Sequence, residues 1–356
     1  MKGLSSFEHV LEERIDQATA LELLEKADLA VLGYLADQAR RRFHPDNVVT
    51  FVIDRNVNYT NVCVAGCKFC AFQRKPSSPE GYVLDTEEIL KKVQELVDCG
   101  GTTLLMQGGL NPNLPLKFYT DLLREIKKHF PMVQIHSFSA PEIVYLAKIE
   151  GLTIEEVIKA LKDAGLDSIP GGGAEILSQE VRSFLSPGKC TVEQWEEVHR
   201  TAHKLGLTST ATMMFGHIEK PEHIVEHLER VRRIQDETGG FTAFIPWTFK
   251  KGNTMLDHIE EASSVYYLKV LALSRIYLDN FKNIQSSHVT QTMQVGIVGL
   301  HFGANDLGSV MMEENVISST NYKVSIPKVE DMVSAIRSAG FVPAQRDTYY
   351  NIIRVF

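Results

Sequence analysis

The sequence predicts an α/β protein whose main body is a (β/α)8 barrel of the TIM type. From residue 50 onward, short β-rich runs alternate with amphipathic helical stretches. Such alternation is typical of right-handed βαβ units on a parallel sheet. Six of the β-rich runs are clear and two more are weaker, which makes eight, the number a closed barrel needs. Because two runs are weak, an incomplete barrel is also compatible with the pattern, and a doubly wound open sheet is the alternative.

Residues 1–49 form the first predicted element, a helical extension. Apolar side chains recur there at steps of three and four residues between residues 7 and 44, as in amphipathic helices. The barrel is expected over residues 50–328. Residues 329–356 are expected to be a C-terminal extension packed on it.

The barrel elements follow in chain order. Strands are predicted at 52–61, 102–106, 133–137, 166–169, 208–214, 241–245, 283–287 and 309–312. Helices are predicted between them at 85–99, 117–129, 153–164, 191–205, 221–238 and 262–279. Two of these helices begin with a capping signal, in which Asp85 or Thr153 precedes acidic residues in the first turn.

Composition excludes several classes of protein. With 37 basic and 45 acidic residues the net charge is −8, which argues against a nucleic-acid partner. A hydrophobic content of 44% excludes overall disorder. No run of about eighteen apolar residues is present, so we expect no membrane partner. The N-terminus has no signal-peptide pattern and cysteines are few, so a cytoplasmic location is predicted.

The most informative motif is a cluster of three cysteines directly after the first predicted barrel strand. Cys63, Cys67 and Cys70 have the spacing Cys-x3-Cys-x2-Cys. A zinc site normally takes four ligands, whereas three thiolates can bind three irons of a 4Fe-4S cluster and leave the fourth iron open. Cys99 and Cys190 stand alone, and we expect both to be inert, partly buried thiols.

This cysteine spacing resembles the signature of the radical S-adenosylmethionine superfamily, and the resemblance extends over roughly residues 15–350. It implies two cofactors, a 4Fe-4S cluster and S-adenosylmethionine. In that superfamily the open iron chelates the amino and carboxylate groups of S-adenosylmethionine. One electron from the cluster then cleaves a carbon–sulfur bond and yields a 5′-deoxyadenosyl radical.

The resemblance also implies which residues bind the cofactor. Gln107, Gly108 and Gly109 match the element that contacts the methionine amino group, and Phe69 takes the place of the aromatic that flanks the adenine. Glu175, after three glycines, is expected to accept hydrogen bonds from ribose hydroxyls. The complete predicted set is Phe69, Gln107, Gly108, Gly109, Ser137, Glu175, Gly216 and Ile218.

Several short stretches narrow the resemblance to one subgroup. They are 170–175, 214–217, 244–249, 303–309 and 313–315. They resemble the two radical enzymes of the futalosine route to menaquinone and one half of the deazaflavin-forming synthase. The run Ile245-Pro246-Trp247-Thr248-Phe249 is most similar to the cyclic dehypoxanthinylfutalosine synthase family. Aminofutalosine synthase and the deazaflavin-forming half are alternative functions within the subgroup. An iron–sulfur electron carrier and a zinc hydrolase are alternatives from other classes.

The resemblance implies a radical cyclisation. The 5′-deoxyadenosyl radical would remove the ribose C4′ hydrogen of dehypoxanthine futalosine, and the carbon radical would add to the benzoate ring. The ring radical must then lose an electron and a proton, so a base is needed. The candidates for that base are Glu175, His288, Asp306 and Glu314. Strand order predicts that Asp306 and Glu314 lie in loops at the C-terminal ends of the strands.

The expected partners are a small-molecule substrate and an electron donor such as flavodoxin or ferredoxin. Loop residues at the C-terminal ends of the strands are expected to bind the substrate. The predicted substrate-binding residues are His136, Trp247, Thr248, Asn253 and Asn315.

Overall fold

A computed structural model describes residues 4–356. Two helices precede the first strand, α1 (Gln17–Lys26) and α2 (Leu29–Phe43). Asp16 caps α1 by accepting a hydrogen bond of 2.8 Å from the backbone N–H of Thr19. Helix α2 packs its buried face against the later helix α10 (Ser264–Tyr277), so the N-terminal helices lie against the barrel.

Nine parallel segments form the barrel wall within the described residues. They are β1 (Val48–Val52), β2 (Asp54–Val57), β3 (Thr103–Met106), β4 (Gln134–Ser137), β5 (Ser168–Ile169), β6 (Thr208–Phe215), β7 (Phe241–Thr248), β8 (Asn283–Ile284) and β9 (Asp306–Ser309). Only Ile53 separates β1 from β2, so these two segments are one barrel strand and the ring has eight positions.

The pairing closes the ring. Strands β2 to β8 pair in chain order as a seven-stranded parallel sheet, and β9 pairs in parallel with β1. A bridge between Gln285 and Asp306 joins β8 to β9, with a backbone hydrogen bond of 2.8 Å from Ser286 N–H to the Asp306 carbonyl. The predicted (β/α)8 barrel is confirmed, and the open-sheet alternative is wrong.

The outer helices include the six that the sequence predicts and three, at 140–150, 179–185 and 293–300, that it does not predict. They are α3 (Thr86–Asp98), α4 (Leu116–His129), α5 (Ala140–Glu150), α6 (Ile154–Asp163), α7 (Gln179–Leu185), α8 (Val192–Lys204), α9 (Pro221–Thr238), α10 and α11 (Met293–Leu300). The predicted caps at Asp85 and Thr153 are both present as capping boxes. No helix within residues 4–356 combines the length and the apolar character that a membrane crossing requires.

The C-terminal residues extend the wall and close one end of the barrel. Helix α12 (Val329–Ser338) leads into β10 (Val342–Arg346), which pairs in parallel with β1, and β11 (Ile352–Val355) pairs antiparallel with β10. Thr348, which follows β10, bonds through its hydroxyl to that of Thr103 at 2.7 Å. Because Thr103 opens β3, this segment lies at the N-terminal end of the barrel. The division at residues 49 and 328 stays a prediction.

Several predicted strands have different limits in the structure. The first ends at Val57 and not at residue 61, because the chain then turns into the cysteine loop, where Thr60 donates to the Tyr82 carbonyl. The predicted strand at 283–287 pairs only over Asn283–Ile284. The predicted strand at 309–312 is instead Asp306–Ser309, because β1 pairs with this earlier segment despite its lack of β-branched residues.

Candidate active site

The barrel encloses a cavity of about 430 Å³. Its wall includes the first residue of β3, Thr103, and cysteines from the loop beyond the C-terminal end of β2, so it spans the length of the strands. Every second residue of β2 lines it, namely Asp54 and Asn56, followed by Asn58 just beyond the strand. This alternation is the period of two that side chains follow along a strand.

The three clustered cysteines all line this cavity. Their loop is held by the backbone, since the N–H of Cys63 donates to the Arg74 carbonyl at 2.8 Å. The side chain of Gln73 donates to the Cys67 carbonyl at 2.6 Å and so closes the inner turn. The loop is therefore a fixed local structure that presents three sulfur atoms to one space.

The surroundings of the sulfur atoms act in both directions on the thiolate form that binds iron. The Cys63 sulfur accepts backbone N–H groups from Ala65 at 3.4 Å and from Leu110 at 3.3 Å. Burial raises the pKa of the Cys67 thiol to about 12, and the nearby Lys189 ammonium opposes that rise. Binding iron would therefore displace the thiol proton.

The donor set fits a 4Fe-4S cluster with one open iron. Such a cluster takes one thiolate per iron, so its ligands need not converge on a point. Across residues 4–356, no three His, Cys, Asp or Glu side chains are grouped so as to hold a single metal ion. The Gly108-Gly109 turn packs closely on the cysteine loop. A Cβ on Gly109 would lie 2.2 Å from the Val62 carbonyl oxygen and 2.8 Å from the Cβ of Cys63.

Glu142 fixes the loop that follows β3. Its carboxylate accepts the N–H of Gly108 at 3.1 Å and the hydroxyl of Tyr59, and its other oxygen accepts the N–H of Ser139 at 2.7 Å. Gln107, Gly108 and Gly109 all line the cavity, as the family resemblance predicts for a cofactor-binding element. Sequence reasoning did not give Glu142 this positioning role.

Glu175 lies in the cavity wall, beside a lysine that the sequence did not single out. Its Oε1 accepts a hydrogen bond of 2.6 Å from the Lys189 ammonium. Its Oε2 is buried and accepts no hydrogen bond from the described residues, although the Arg182 guanidinium lies 3.6 Å away. The backbone φ of Glu175 is +44°, a strained conformation that is often found at functional sites. Lys189 also lies 5.3 Å from the centre of the Phe69 ring, which lines the same cavity.

The predicted substrate-binding residues are only partly brought together. His136 and Trp247 line the cavity. Trp247 and Thr248 are the last residues of β7 and not loop residues. Because side chains alternate along a strand, Thr248 is buried outside the cavity. Its N–H donates to the Thr290 hydroxyl at 3.2 Å. Asn253 lies in an exposed loop and bonds to the Ser319 carbonyl. Asn315 lines an adjacent surface crevice.

Three predicted cofactor-binding residues lie outside the cavity lining in this structure. Ser137 is fully buried, and its hydroxyl has no partner among the described residues. Gly216 packs closely against Ala262, and Ile218 is partly buried beside the hydrophobic core. Their roles in binding stay predictions.

The four base candidates have different surroundings. Glu314 lines the cavity, but its oxygens accept the backbone N–H groups of Val316, Ile317 and Ser318. His288 is buried, and its Nε2 bonds to the Ser309 carbonyl at 2.9 Å.

Asp306 was expected in a loop at the C-terminal end of the strands. It is instead the first residue of β9, because the pairing with β1 begins there, and it is bound by the Arg346 guanidinium at 2.5 and 3.0 Å.

The two isolated cysteines also differ from each other. Cys190 is buried, and its sulfur accepts a hydrogen bond of 3.4 Å from Arg182. Cys99 is exposed, not partly buried as predicted, because it caps the C-terminal end of α3 where that helix reaches solvent.

Sequence reasoning missed other cavity residues besides Lys189, among them Asp54, Arg346, Thr348 and Tyr350. Asp54 comes from β2, and the others come from the C-terminal segment: Arg346, Thr348 and Tyr350. The alternating polar residues 54, 56 and 58 in a central strand are a signal that points to Asp54. The C-terminal residues have no such local signal, because their place depends on β10 pairing with β1.

Comparison with known proteins agrees with this geometry. Residues 57–231 match the Radical SAM superfamily, and residues 238–355 match the CofH/MqnC C-terminal region. A cyclic dehypoxanthine futalosine synthase from Halalkalibacterium halodurans is 49% identical over 97% of this chain and 93% of its own length. The chain belongs to the radical S-adenosylmethionine superfamily.

Other members of the superfamily are nearly as similar. A cyclic dehypoxanthine futalosine synthase from Streptomyces coelicolor is 43% identical, over 95% of this chain and 85% of its own length. A 5-amino-6-(D-ribitylamino)uracil–L-tyrosine 4-hydroxyphenyl transferase from Methanopyrus kandleri is 41% identical over 96% of this chain and 94% of its own. The chain is thus a radical S-adenosylmethionine enzyme of the predicted subgroup, which sets aside the carrier and zinc-hydrolase alternatives.

Solved structures share the fold. Methylornithine synthase superposes with a TM-score of 0.75 at 17% identity, covering 95% of this chain and 96% of that one. The hydrogenase maturase HydG gives the same TM-score at 16% identity, with 96% of this chain and 76% of that one covered. Membership of the superfamily implies a 4Fe-4S cluster and S-adenosylmethionine, which the three-cysteine site fits.

Proposed function

We propose that this enzyme converts dehypoxanthine futalosine to its cyclic product in menaquinone biosynthesis. The observation that carries the proposal is the 49% identity, over 97% of the chain, to a relative named cyclic dehypoxanthine futalosine synthase. Trp247 supports it, since this residue of the subgroup-specific run lines the same cavity as the three cysteines. An indole ring offers an apolar face to the benzoate ring of such a substrate.

The protein's own residues supply binding and orientation. Cys63, Cys67 and Cys70 would hold the cluster, and the Gly108-Gly109 turn would present backbone groups to the methionine part of the cofactor. Together the bound cofactors supply a 5′-deoxyadenosyl radical able to remove the ribose C4′ hydrogen. The enclosing barrel wall keeps water from reactive species, so that they react with the substrate alone.

His136 lies in the cavity as a neutral ring. Burial and, to a smaller extent, the Arg346 guanidinium together lower its pKa to about 3. Its Nδ1 shares a hydrogen bond of 2.6 Å with the hydroxyl of Ser168. A neutral imidazole held in this way is suited to a hydrogen bond with a substrate oxygen, and we assign His136 that role.

A second candidate activity is supported by the archaeal relatives. The Methanopyrus kandleri transferase is 41% identical, close to the 43% of the second cyclase relative. Its name describes transfer of a 4-hydroxyphenyl group from L-tyrosine to 5-amino-6-(D-ribitylamino)uracil. Aminofutalosine synthase is the other sibling. We also propose a flavodoxin or ferredoxin as the one-electron donor, and a cytoplasmic location stays a prediction.

Anaerobic incubation tests the proposal. The reconstituted enzyme, S-adenosylmethionine and a reductant are mixed with dehypoxanthine futalosine in one vessel and with L-tyrosine plus 5-amino-6-(D-ribitylamino)uracil in another, and products are identified by mass. We expect a product two hydrogen atoms lighter than dehypoxanthine futalosine, with release of 5′-deoxyadenosine. Product only in the second vessel would assign the transferase activity instead. An enzyme of the aminofutalosine type, whose adenosyl radical adds to an enol ether, would form product in neither vessel.

A further inference from the structure

Asp54 is a buried carboxyl group in the cavity wall that holds neither the cofactors nor the substrate in the proposed cyclisation. It is the first residue of β2, is 5% exposed and lines the cavity. On one side, Asp54 pairs in register with Thr103 of β3. On the other side, its carboxylate accepts a hydrogen bond from the hydroxyl of Ser309 in β9. Burying a carboxyl group in the middle of a barrel strand costs free energy, so we expect the group to have a function.

Only one of its two oxygens is occupied by the protein. Oδ1 accepts hydrogen bonds from the Ser309 hydroxyl and from the backbone N–H of Met311, the latter at 3.3 Å. No donor within residues 4–356 bonds to Oδ2. Because the side chain lines the cavity and Oδ1 is turned to β9, Oδ2 is the atom free to meet a substrate.

The nearby cation is already committed elsewhere. Arg346 binds Asp306 through two hydrogen bonds, of 2.5 and 3.0 Å, and lies 3.8 Å from the centre of the Tyr350 ring. It therefore forms no ion pair with Asp54. Burial raises the pKa of Asp54 to about 6, an effect that the Ser309 and Met311 hydrogen bonds and Arg346 oppose. A base with a pKa near the working pH is well suited to take up and release a proton.

The other acids of the cavity are less suited to proton transfer. Glu142 has hydrogen bonds to both oxygens, and Glu314 likewise binds three backbone N–H groups. Glu175 is ion-paired with Lys189. Asp54 differs from all three, because its Oδ2 has no hydrogen-bond donor among the described residues and its carboxylate forms no ion pair.

Resting on the proposed cyclisation, we propose that Asp54 is the base that accepts the ring proton in the last step. The C–H bond at the attacked ring carbon breaks, and its proton passes to Oδ2 of Asp54. The two electrons of that bond and the unpaired ring electron make three. Two of them restore the aromatic ring, and the third leaves to a one-electron acceptor of the iron–sulfur class. The carboxylic acid then returns its proton to water.

Asp54→Asn is the direct test, because asparagine keeps the size and the acceptor oxygen toward Ser309 and Met311 but is no base. We expect 5′-deoxyadenosine release in the presence of substrate to persist within about threefold. The cyclic product formed per 5′-deoxyadenosine is expected to fall by about 10²-fold, the usual contribution of a general base. Asp54→Glu should recover part of that ratio.

Substrate affinity separates this role from a structural one. Equilibrium dialysis of the unreduced holoenzyme should give an Asp54→Asn dissociation constant within about twofold of wild type. If 5′-deoxyadenosine and product instead fall in parallel, or if the product ratio is unchanged, Asp54 is not the proton acceptor. Absence of cyclic product from wild-type enzyme would overturn the proposed function itself, a separate outcome.

A pH series on the wild-type enzyme keeps the proposal testable if the variant does not fold. Protonated Asp54 cannot accept a proton, so the product formed per 5′-deoxyadenosine should fall as the pH drops below about 6. The other titratable groups at this part of the cavity are Arg346 and Tyr350 of the C-terminal segment, Asp306 of β9 and His136 of β4. Neither the raised pKa of Arg346 and Tyr350 nor the low pKa of His136 gives a transition near pH 6. A ratio that stays flat from pH 8 to pH 5 would overturn the assignment.

Discussion

Glu175→Gln is the substitution that most sharply tests where the ribose of S-adenosylmethionine binds. The structure leaves one carboxylate oxygen of Glu175, Oε2, buried in the cavity wall without a hydrogen-bond donor from the described residues. The other oxygen holds the Lys189 ammonium at 2.6 Å. A ribose hydroxyl that donates to Oε2 would make one charge-assisted hydrogen bond.

The expected effect follows from that single bond. Hydrogen bonds to charged groups contribute about 1.5–3 kcal/mol. Glutamine keeps the size of the side chain and one acceptor for Lys189, but removes the charge. The dissociation constant for S-adenosylmethionine should therefore rise about 10- to 150-fold. The fold should persist, as checked by far-ultraviolet circular dichroism.

The assay is a calorimetric titration of the anaerobic, cluster-loaded enzyme with S-adenosylmethionine. Glu80→Gln is the matched control, because Glu80 forms an ion pair of 2.5 Å with Arg74 but is 69% exposed. Exposed pairs contribute little, so its affinity should stay within about twofold of wild type. An affinity of Glu175→Gln within twofold of wild type would remove Glu175 from the cofactor site.

Three further predictions concern the cluster loop and the fold. Cys67→Ala should abolish bound iron while the circular dichroism spectrum is retained, because the loop is local; global unfolding would contradict this. Arg346→Met should lower the free energy of unfolding in urea by about 3–5 kcal/mol, because it leaves the buried Asp306 without its cation; a loss under 1 kcal/mol would refute it. Stability should also fall as the pH drops below about 6.5, because burial lowers the pKa of six histidines, so the unfolded chain binds protons that the folded chain does not. Each of these histidines should lower the free energy of unfolding by about 1.4 kcal/mol per pH unit until the pH reaches its folded pKa. Equal urea midpoints at pH 7.5 and 5.5 would be inconsistent with this. The six are His44, His136, His199, His203, His227 and His288.

The architecture was predictable because its signals are local. The capping boxes at Asp85 and Thr153 depend only on residues three positions apart, and each marks a helix start in the structure. The alternation of strands and helices then leaves few ways to arrange a parallel sheet. Strand limits were less predictable, since pairing partners far along the chain decide them, as at Asp306–Ser309.

The part of the site that lies in loops was also predictable. Parallel strands bring their C-terminal ends together, so the cysteines after β2 and Gln107 after β3 meet in one cavity. The direction in which individual side chains point was not predictable. Trp247 faces the cavity and Thr248 does not, because one position along a strand reverses the side chain.

The closed end of the cavity could not be predicted from local patterns. Arg346 and Tyr350 reach it only because β10 pairs with β1, about three hundred residues earlier in the chain. Asp306 then pairs with Arg346 at this end. A residue assigned to a catalytic loop from strand order alone thus proves to be an ion-pair partner of the C-terminal segment.

The most direct test of the three-thiolate site is the electron paramagnetic resonance spectrum of the reduced protein, recorded with and without S-adenosylmethionine. Three cysteine ligands leave one iron of the cluster open, so addition of the sulfonium compound should change the g-values of the reduced 4Fe-4S signal. A spectrum that is identical in both samples, from protein with a full complement of iron, would mean that the protein itself occupies all four irons and would contradict the proposed site.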